Sequence, residues 1–309
     1  MNWITKFIKP KIQSILKRQS KKTEDSLWVA CDCQEPIFKE DLVKNLYVCP
    51  KCEKHHKLSS RERFNIFFDE GNYDIVNSPK FLEDPLGFED RLKYTERLKA
   101  ARNKTKQDDA ILVAQGKLEG VNVTCTAQNF DFIGGSVGAA SGEALIAAVQ
   151  NAINNKTPLI SFSSSGGQRM MESSIALMQM PRTVIAINEL KKERLPYVVV
   201  FCNPTTGGVS ASWAGISDIA IGEPKSTIGF AGRRVIQSTI GSTESLPESF
   251  QTAESVLKHG RLDMIVERKN LRSTISNVIK ILLKIEEKNI NANDSNVVTI
   301  DDPLRKSTA

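Results

Sequence analysis

Histidine is scarce in this chain of 309 residues. There are three, His55, His56 and His259, and none stands beside the glycine-rich turns described below. A hydrolase built on a serine–histidine pair is therefore not expected. Long apolar runs are also missing. The longest, such as Val198-Val199-Val200-Phe201-Cys202, have the length of a buried strand, far short of the roughly 20 residues that span a bilayer. Aromatic residues make up only 6%, with little of the interleaving with basic residues that a base-stacking surface uses. No GxxxxGK[ST] phosphate loop occurs. Residues 1–23 contain no acid, and they carry Lys6, Lys9, Lys11, Lys17, Arg18, Lys21 and Lys22. Most of the net charge of +6 thus belongs to this arm, and the rest of the chain is close to neutral. That excludes a fold-wide nucleic-acid surface. The arm also holds Trp3, Ile4, Phe7, Ile8, Ile12 and Leu16, a pattern suited to an amphipathic helix. Its lysines interrupt any secretory apolar core, and Lys in place of Arg argues against an organellar transit peptide.

What remains is ordinary for a globular chain: 40% hydrophobic and 25% charged residues. Four regions follow from composition. Residues 1–27 form the basic arm, 28–56 a cysteine cluster, 57–288 an α/β body, and 289–309 a polar tail expected to be disordered. In the body, β-rich runs at 111–118 and 121–127 meet at Glu119-Gly120 as a hairpin. Short apolar strands are expected at 159–163, 197–202, 218–221 and 262–266. Helical spacing marks 142–154, 170–180, 183–193, 209–216, 252–259 and 270–286, with Pro181 breaking the second from the third. Strands alternating with helices argue for repeated βαβ units. Composition alone does not choose between a doubly wound sheet and a ββα superhelix.

Four of the six cysteines fall within 22 positions: Cys31-Asp-Cys33, fifteen residues, then Cys49-Pro-Lys-Cys52. A two-residue spacer lets both thiolates reach one tetrahedral ion, so the set reads as a structural zinc site. The one-residue spacer between Cys31 and Cys33 is less usual. Zinc would stabilise a unit too small for a core of its own.

Three glycine pairs follow strand-like runs. Ser163-Ser-Ser-Gly166-Gly167-Gln168-Arg169 and Pro204-Thr-Thr-Gly207-Gly208-Val209 share one plan, a strand, two glycines and the start of a helix. Gly134-Gly135-Ser136 is the third. Glycine allows positive φ and close backbone approach. A helix start offers unpaired N–H groups that can face a developing oxyanion.

At these motifs the chain resembles the carboxyltransferase beta subunits of acetyl-CoA carboxylase. The stretches that carry the resemblance are 45–52, 132–138, Phe162-Ser-Ser-Ser-Gly-Gly-Gln-Arg-Met170, 177–180, 195–197, 204–212, Gly229-Phe-Ala-Gly232 and Asp263-Met-Ile-Val266, together with Met1-Asn-Trp3. The resemblance implies a crotonase-like (ClpP/crotonase) ββα superhelix behind a small N-terminal zinc ribbon. It implies transfer of a carboxyl group from carboxybiotin on a carrier protein to acetyl-CoA. The product is malonyl-CoA, at the first committed step of fatty acid synthesis in the cytoplasm. The implied partners are an alpha subunit in an alpha2-beta2 assembly, the biotin carboxyl carrier protein and biotin carboxylase. On this reading Cys31, Cys33, Cys49 and Cys52 hold zinc, and Gly207 and Gly208 are the main oxyanion donors. Gly166, Gly167 and Gln168 shape the adjoining pocket, and Gly134, Gly135 and Ser136 border the acyl-CoA. The chain departs from the family at the Cys31–Cys33 spacing, at Gln168 where the family has Ala, and at Arg233 where it has Pro. Two rivals stay in view. One is a CoA-dependent hydratase or isomerase of the same fold, with Glu172 as its acid. The other is a zinc-ribbon nucleic-acid binder.

Overall fold

The structure is a computed structural model and describes residues 27–240 and 246–285. The basic arm, apart from residue 27, and the polar tail lie outside the described residues. In chain order the elements are β1 (Trp28–Ala30), β2 (Pro36–Phe38), α1 (Lys39–Lys44), α2 (Ser60–Phe67), β3 (Tyr73–Ile75), α3 (Tyr94–Thr105), β4 (Ile111–Leu118), β5 (Val121–Gln128), α4 (Ala139–Asn155), β6 (Leu159–Ser165), α5 (Ser173–Lys192), β7 (Tyr197–Thr205), β8 (Ile219–Gly222), α6 (Arg233–Ile240), α7 (Ala253–Lys258), β9 (Met264–Ile265) and α8 (Leu271–Leu282).

Strands β1 and β2 pair with each other in the cysteine-rich unit, while β3 to β9 form one seven-stranded sheet in sequence order. The first three strands of that sheet are antiparallel and the rest parallel. The β4–β5 hairpin turns at Glu119 (φ 46°) and Gly120 (φ 81°). Positive φ at both central residues matches the right-handed twist of the flanking strands.

Helices cover both faces of the sheet, which is why its central strands read as continuous apolar runs. In β7, Tyr197, Val199 and Phe201 face α4 and α5, while Val198, Val200 and Cys202 face α2 and α8. This alternation follows from the two-residue period of a strand. Each fully buried apolar side chain stabilises the fold by roughly 1.5–3 kcal/mol before entropy is counted.

Three expectations need correction. Pro181 does not break a helix: α5 runs unbroken through it for 20 residues. Pro181 is exposed, and Thr183 Oγ1 bonds the Gln179 carbonyl at 2.8 Å beside it. The segment 209–216 is not an α-helix but turns and one short 3-10 stretch, Trp213–Ile216. The helix expected at 170 begins at Ser173, after an extended Gln168-Arg169 bridged to Val137. Neither glycine pair therefore opens directly into an α-helix.

Candidate active site and metal centre

The four Sγ atoms of Cys31, Cys33, Cys49 and Cys52 all lie within 4.8 Å of one another. Cys31 and Cys52 are 3.5 Å apart and Cys33 and Cys49 3.9 Å. A tetrahedral zinc with bonds of about 2.3 Å sets its sulfurs about 3.8 Å apart, so the residues fit the ion. The short Cys31–Cys33 spacer closes because Gln34 takes positive φ (66°) and its N–H returns to the Cys31 carbonyl at 2.9 Å. Backbone N–H groups of Lys51 and Cys52 point at Cys49 Sγ at 3.4 and 3.5 Å. Burial pushes the Cys49 thiol up, yet these amides and its neighbouring thiols bring it down to about 7. Cys49 is thus prepared as a thiolate. At Cys52 the Lys54 N–H also lowers the thiol, but burial and the neighbouring thiols outweigh it and push it the other way, up to about 12.

The ribbon is fastened to the body by buried charge. Glu223 stands just after β8 and accepts from Arg63 at 2.9 Å and from Arg268 at 2.9 and 3.0 Å. Arg268 also donates to the carbonyls of Leu46, Tyr47 and His56, each at 3.1 Å. These carbonyls flank the Cys49–Cys52 knuckle in sequence. Burial opposes the Glu223 charge, but Arg63 and Arg268 outweigh it and hold the carboxyl well below its usual range.

The two main glycine turns are pressed together. A Cβ on Gly207 would come within 2.8 Å of Gly167 Cα, and one on Gly167 within 3.3 Å of Gly207 Cα. Both residues also have positive φ, 118° at Gly167 and 68° at Gly207. The resemblance implies adjoining turns, and in space they are in direct contact.

Three of the glycine amides in the two turns are engaged. Gly166 N–H donates to the Gly134 carbonyl at 2.9 Å, and Gly207 N–H to the Phe230 carbonyl at 2.7 Å. Gly167 N–H donates to Ser165 Oγ at 3.0 Å. Gly207 cannot therefore serve as an oxyanion donor with the backbone as it stands. Among the described residues, the N–H groups of Gln168 and Gly208 have no acceptor, nor do those of Val209 and Ser210. Gly208 is singled out by contact with the other turn: its nitrogen lies 3.5 Å from the Cβ position of Gly167. Gly208 itself lacks positive φ. A Cβ there would meet the Gln168 side chain at 2.7 Å and oblige that side chain to move.

Arg169 anchors this arrangement. It is buried, with two bonds to Asp109 at 2.7 and 2.8 Å and others to the Ser136 carbonyl at 2.7 Å and Tyr94 Oη at 3.0 Å. Glu172 lies 3.3 Å from the same guanidinium. It also accepts from Tyr94 and, at 2.6 Å, from the Ala139 N–H at the start of α4. Arg169, Asp109, Glu172 and Tyr94 are all buried, and the one guanidinium is shared between two carboxylates, with Tyr94 Oη and the Ala139 N–H as further donors to Glu172. The sequence offered Glu172 as a candidate acid, but its carboxylate is occupied and caps α4. Gly134–Gly138 also spells G-x-S-x-G, yet Ser136 Oγ donates to the Ile133 carbonyl and accepts from Arg169 Nε. Of the third turn, Gly135 packs inward, where a Cβ would meet the Ser164 carbonyl at 2.1 Å, while Gly134 faces open space.

Sequence reasoning missed Tyr94, Asp109, Arg63, Glu223 and Arg268. The available signal was charge inside apolar surroundings: Arg63 precedes Phe64, Phe67 and Phe68, and Glu223 ends an apolar strand.

A carboxyl transferase domain model matches residues 58–309, and an acetyl-CoA carboxylase zinc finger domain model matches residues 28–52. The acetyl-coenzyme A carboxylase carboxyl transferase subunit beta of Pelagibacter ubique is 48% identical over 306 residues, 98% of this chain and 97% of that protein. The protein of the same name from Bartonella quintana is 47% identical over 310 residues, covering both chains completely. In fold, the chain matches a Pseudomonas malonate decarboxylase hetero-tetramer with a TM-score of 0.58 at 23% identity, over 72% of this chain and 82% of that one. Transcarboxylase 12S matches with a TM-score of 0.59 at 23% identity, over 72% and 41%.

Proposed function

Because the chain belongs to the carboxyl transferase family, and within it to the beta subunits of acetyl-CoA carboxylase, we propose that its two joined glycine turns hold the thioester carbonyl of acetyl-CoA through the N–H groups of Gly208 and Gln168. The fold is crotonase-like, the reaction is carboxyl transfer to acetyl-CoA, and the four-cysteine ribbon holds a structural zinc. Zinc supplies a cross-link between Cys31-Cys33 and Cys49-Cys52, and takes no part in the chemistry.

The acetyl methyl group is a weak acid. As it loses its proton, negative charge collects on the thioester oxygen, and fixed donors at that oxygen lower the barrier. Carboxybiotin on its carrier supplies the carboxyl group and, on losing it, a nitrogen able to take the methyl proton. The nitrogen–carbon bond would have to break first, releasing the carboxyl group as carbon dioxide and freeing the nitrogen to take the methyl proton. The enolate held at the Gly208 and Gln168 amides would then form the new carbon–carbon bond to that carbon dioxide. No side-chain base from this chain is then required, which suits a site where Glu172 is occupied. The observation that carries this reading is the pair of unengaged amides on turns in mutual contact. Gly207 and Gly167 serve by letting the turns touch, Gly166 by tying its turn to Gly134, and Gly135 and Ser136 by supporting them from behind. Gly134, which opens outward, remains a candidate border of the acyl-CoA pocket.

An alpha subunit of the same fold, in an alpha2-beta2 assembly, would cover the exposed apolar side chains Met170, Leu177, Met178, Ile185 and Phe230. Biotin carboxyl carrier protein and biotin carboxylase complete the set of partners. Among the described residues no helix is long and apolar enough to cross a membrane.

The test is reconstitution. The chain combined with its alpha subunit, malonyl-CoA and biotin should catalyse the reverse transfer, and the chain alone should not. Equal turnover by the isolated chain, or hydration of an enoyl-CoA by it, would remove the reading.

A further inference from the structure

The side chain of Gln168 has a fixed position that the oxyanion role does not explain. Its amide nitrogen donates to the Ala176 carbonyl in α5. Its Cγ, Cδ and Oε1 lie 2.7, 2.8 and 2.8 Å from the point where Gly208 would carry a Cβ. The side chain is thus laid across Gly208 and held there from α5. Gln168 is partly exposed, while Gly208 beneath it is buried.

A carbonyl oxygen accepting from Gly208 N–H at about 2.9 Å brings its own carbon and the adjoining acyl carbon within a few ångströms of that amide. Substituents on the acyl carbon must then share space with whatever covers Gly208. We propose that the Gln168 side chain, where the family has Ala, is a specificity-determining group that narrows the space for the acyl substituent further than Ala does, still admitting acetyl-CoA and disfavouring acyl-CoA substrates with a longer chain. This rests on the assignment of the oxyanion amides above. It adds a separate role for the side chain of a residue whose backbone N–H serves the carbonyl. One methylene in an apolar pocket is worth about 10–200-fold in discrimination, so a polar side chain held across the site is enough to reject propionyl-CoA.

The experiment measures kcat/KM for acetyl-CoA and for propionyl-CoA in the assembled holoenzyme, with wild type, Gln168→Ala and Gln168→Met. Both substitutions keep the backbone N–H. Gln168→Ala should raise the propionyl-to-acetyl ratio by about tenfold or more. Gln168→Met, of similar length, should keep the wild-type ratio within about threefold, a result that removal of a merely structural contact would not give. Zinc content and co-elution with the alpha subunit establish that each variant is folded. A folded Gln168→Ala enzyme whose ratio stays within twofold of wild type overturns the proposal. So does an equal rise in both variants, because steric cover would then not be the cause. Failure of the wild-type complex to carboxylate acetyl-CoA would instead overturn the functional reading beneath it.

Discussion

The ribbon and the glycine turns are both small, and each is held in place by a buried arginine, but they are built on opposite plans. In the ribbon the side chains do the work: four sulfurs lie within 4.8 Å, and the backbone bends to bring them there. In the turns the backbone does the work, and side chains are removed or tied back so that it can. Arg268 fastens the first to the sheet through Glu223, and Arg169 fastens the second through Asp109 and Glu172. A site made of side chains loses its function when a ligand changes. A site made of amides loses it when the geometry shifts, whatever the side chains are.

Removing the metal should give the largest effect. Structural zinc contributes about 10–16 kcal/mol in units of this size. Cys49→Ser should therefore abolish zinc binding and unfold residues 28–52, read by elemental analysis and hydrogen exchange. Cys31→Ser should do the same, since Cys31 lies 3.5 Å from Cys52. Full zinc retention by Cys31→Ser would remove it from the ligand set.

Next come the two arginines. Breaking a buried ion pair from one side costs about 3–5 kcal/mol. Arg169→Met should depress kcat and stability while leaving zinc bound. Arg268→Met should raise hydrogen exchange in the ribbon and leave kcat closer to normal. If the two variants lose kcat equally, the regions are not separable in the way described. Acid should loosen the same joints. Asp109 is buried, which opposes its charge, but Arg169 prevails and holds its carboxyl below the usual range, as with Glu223. A depressed carboxylate contributes its stability fully above its unfolded value and loses it as pH falls through the folded one. Unfolding midpoints should therefore fall as pH drops below about 4, and Asp109→Asn should flatten that dependence.

The smallest effect belongs to Ser210. Its single hydroxyl proton donates to the Gly229 carbonyl at 2.6 Å, with the Gly207 carbonyl as the alternative acceptor at 3.0 Å. Ser210→Ala should thus cost about 0.5–1.5 kcal/mol in stability, seen as a small drop in Tm, with kcat unchanged. A large fall in kcat would bring hydroxyl chemistry into the site.

The ribbon was legible in the sequence because cysteine spacing encodes a metal directly. The β4–β5 hairpin was equally plain from Glu119-Gly120 between alternating runs. The glycine turns were legible as motifs, and as neighbours through the resemblance, but not the direct contact between Gly167 and Gly207, which joins residues of successive βα units. Which amides are free was not legible, since the partner of Gly207 is the Phe230 carbonyl, more than twenty residues away. Charged residues such as Glu223 and Arg268 read as surface until the fold buries them together. Helix 173–192 was cut short at Pro181 by a propensity that tertiary packing overrides.

If Gly208 N–H holds the oxyanion, as proposed, replacing that single amide by an ester removes the donor and nothing else. Glycolic acid introduced at position 208 removes the N–H and keeps the shape, including the contact with Gln168. The assembled enzyme should bind zinc and its alpha subunit as before and lose about 10²–10³-fold in kcat. A kcat within twofold of wild type would contradict the claim.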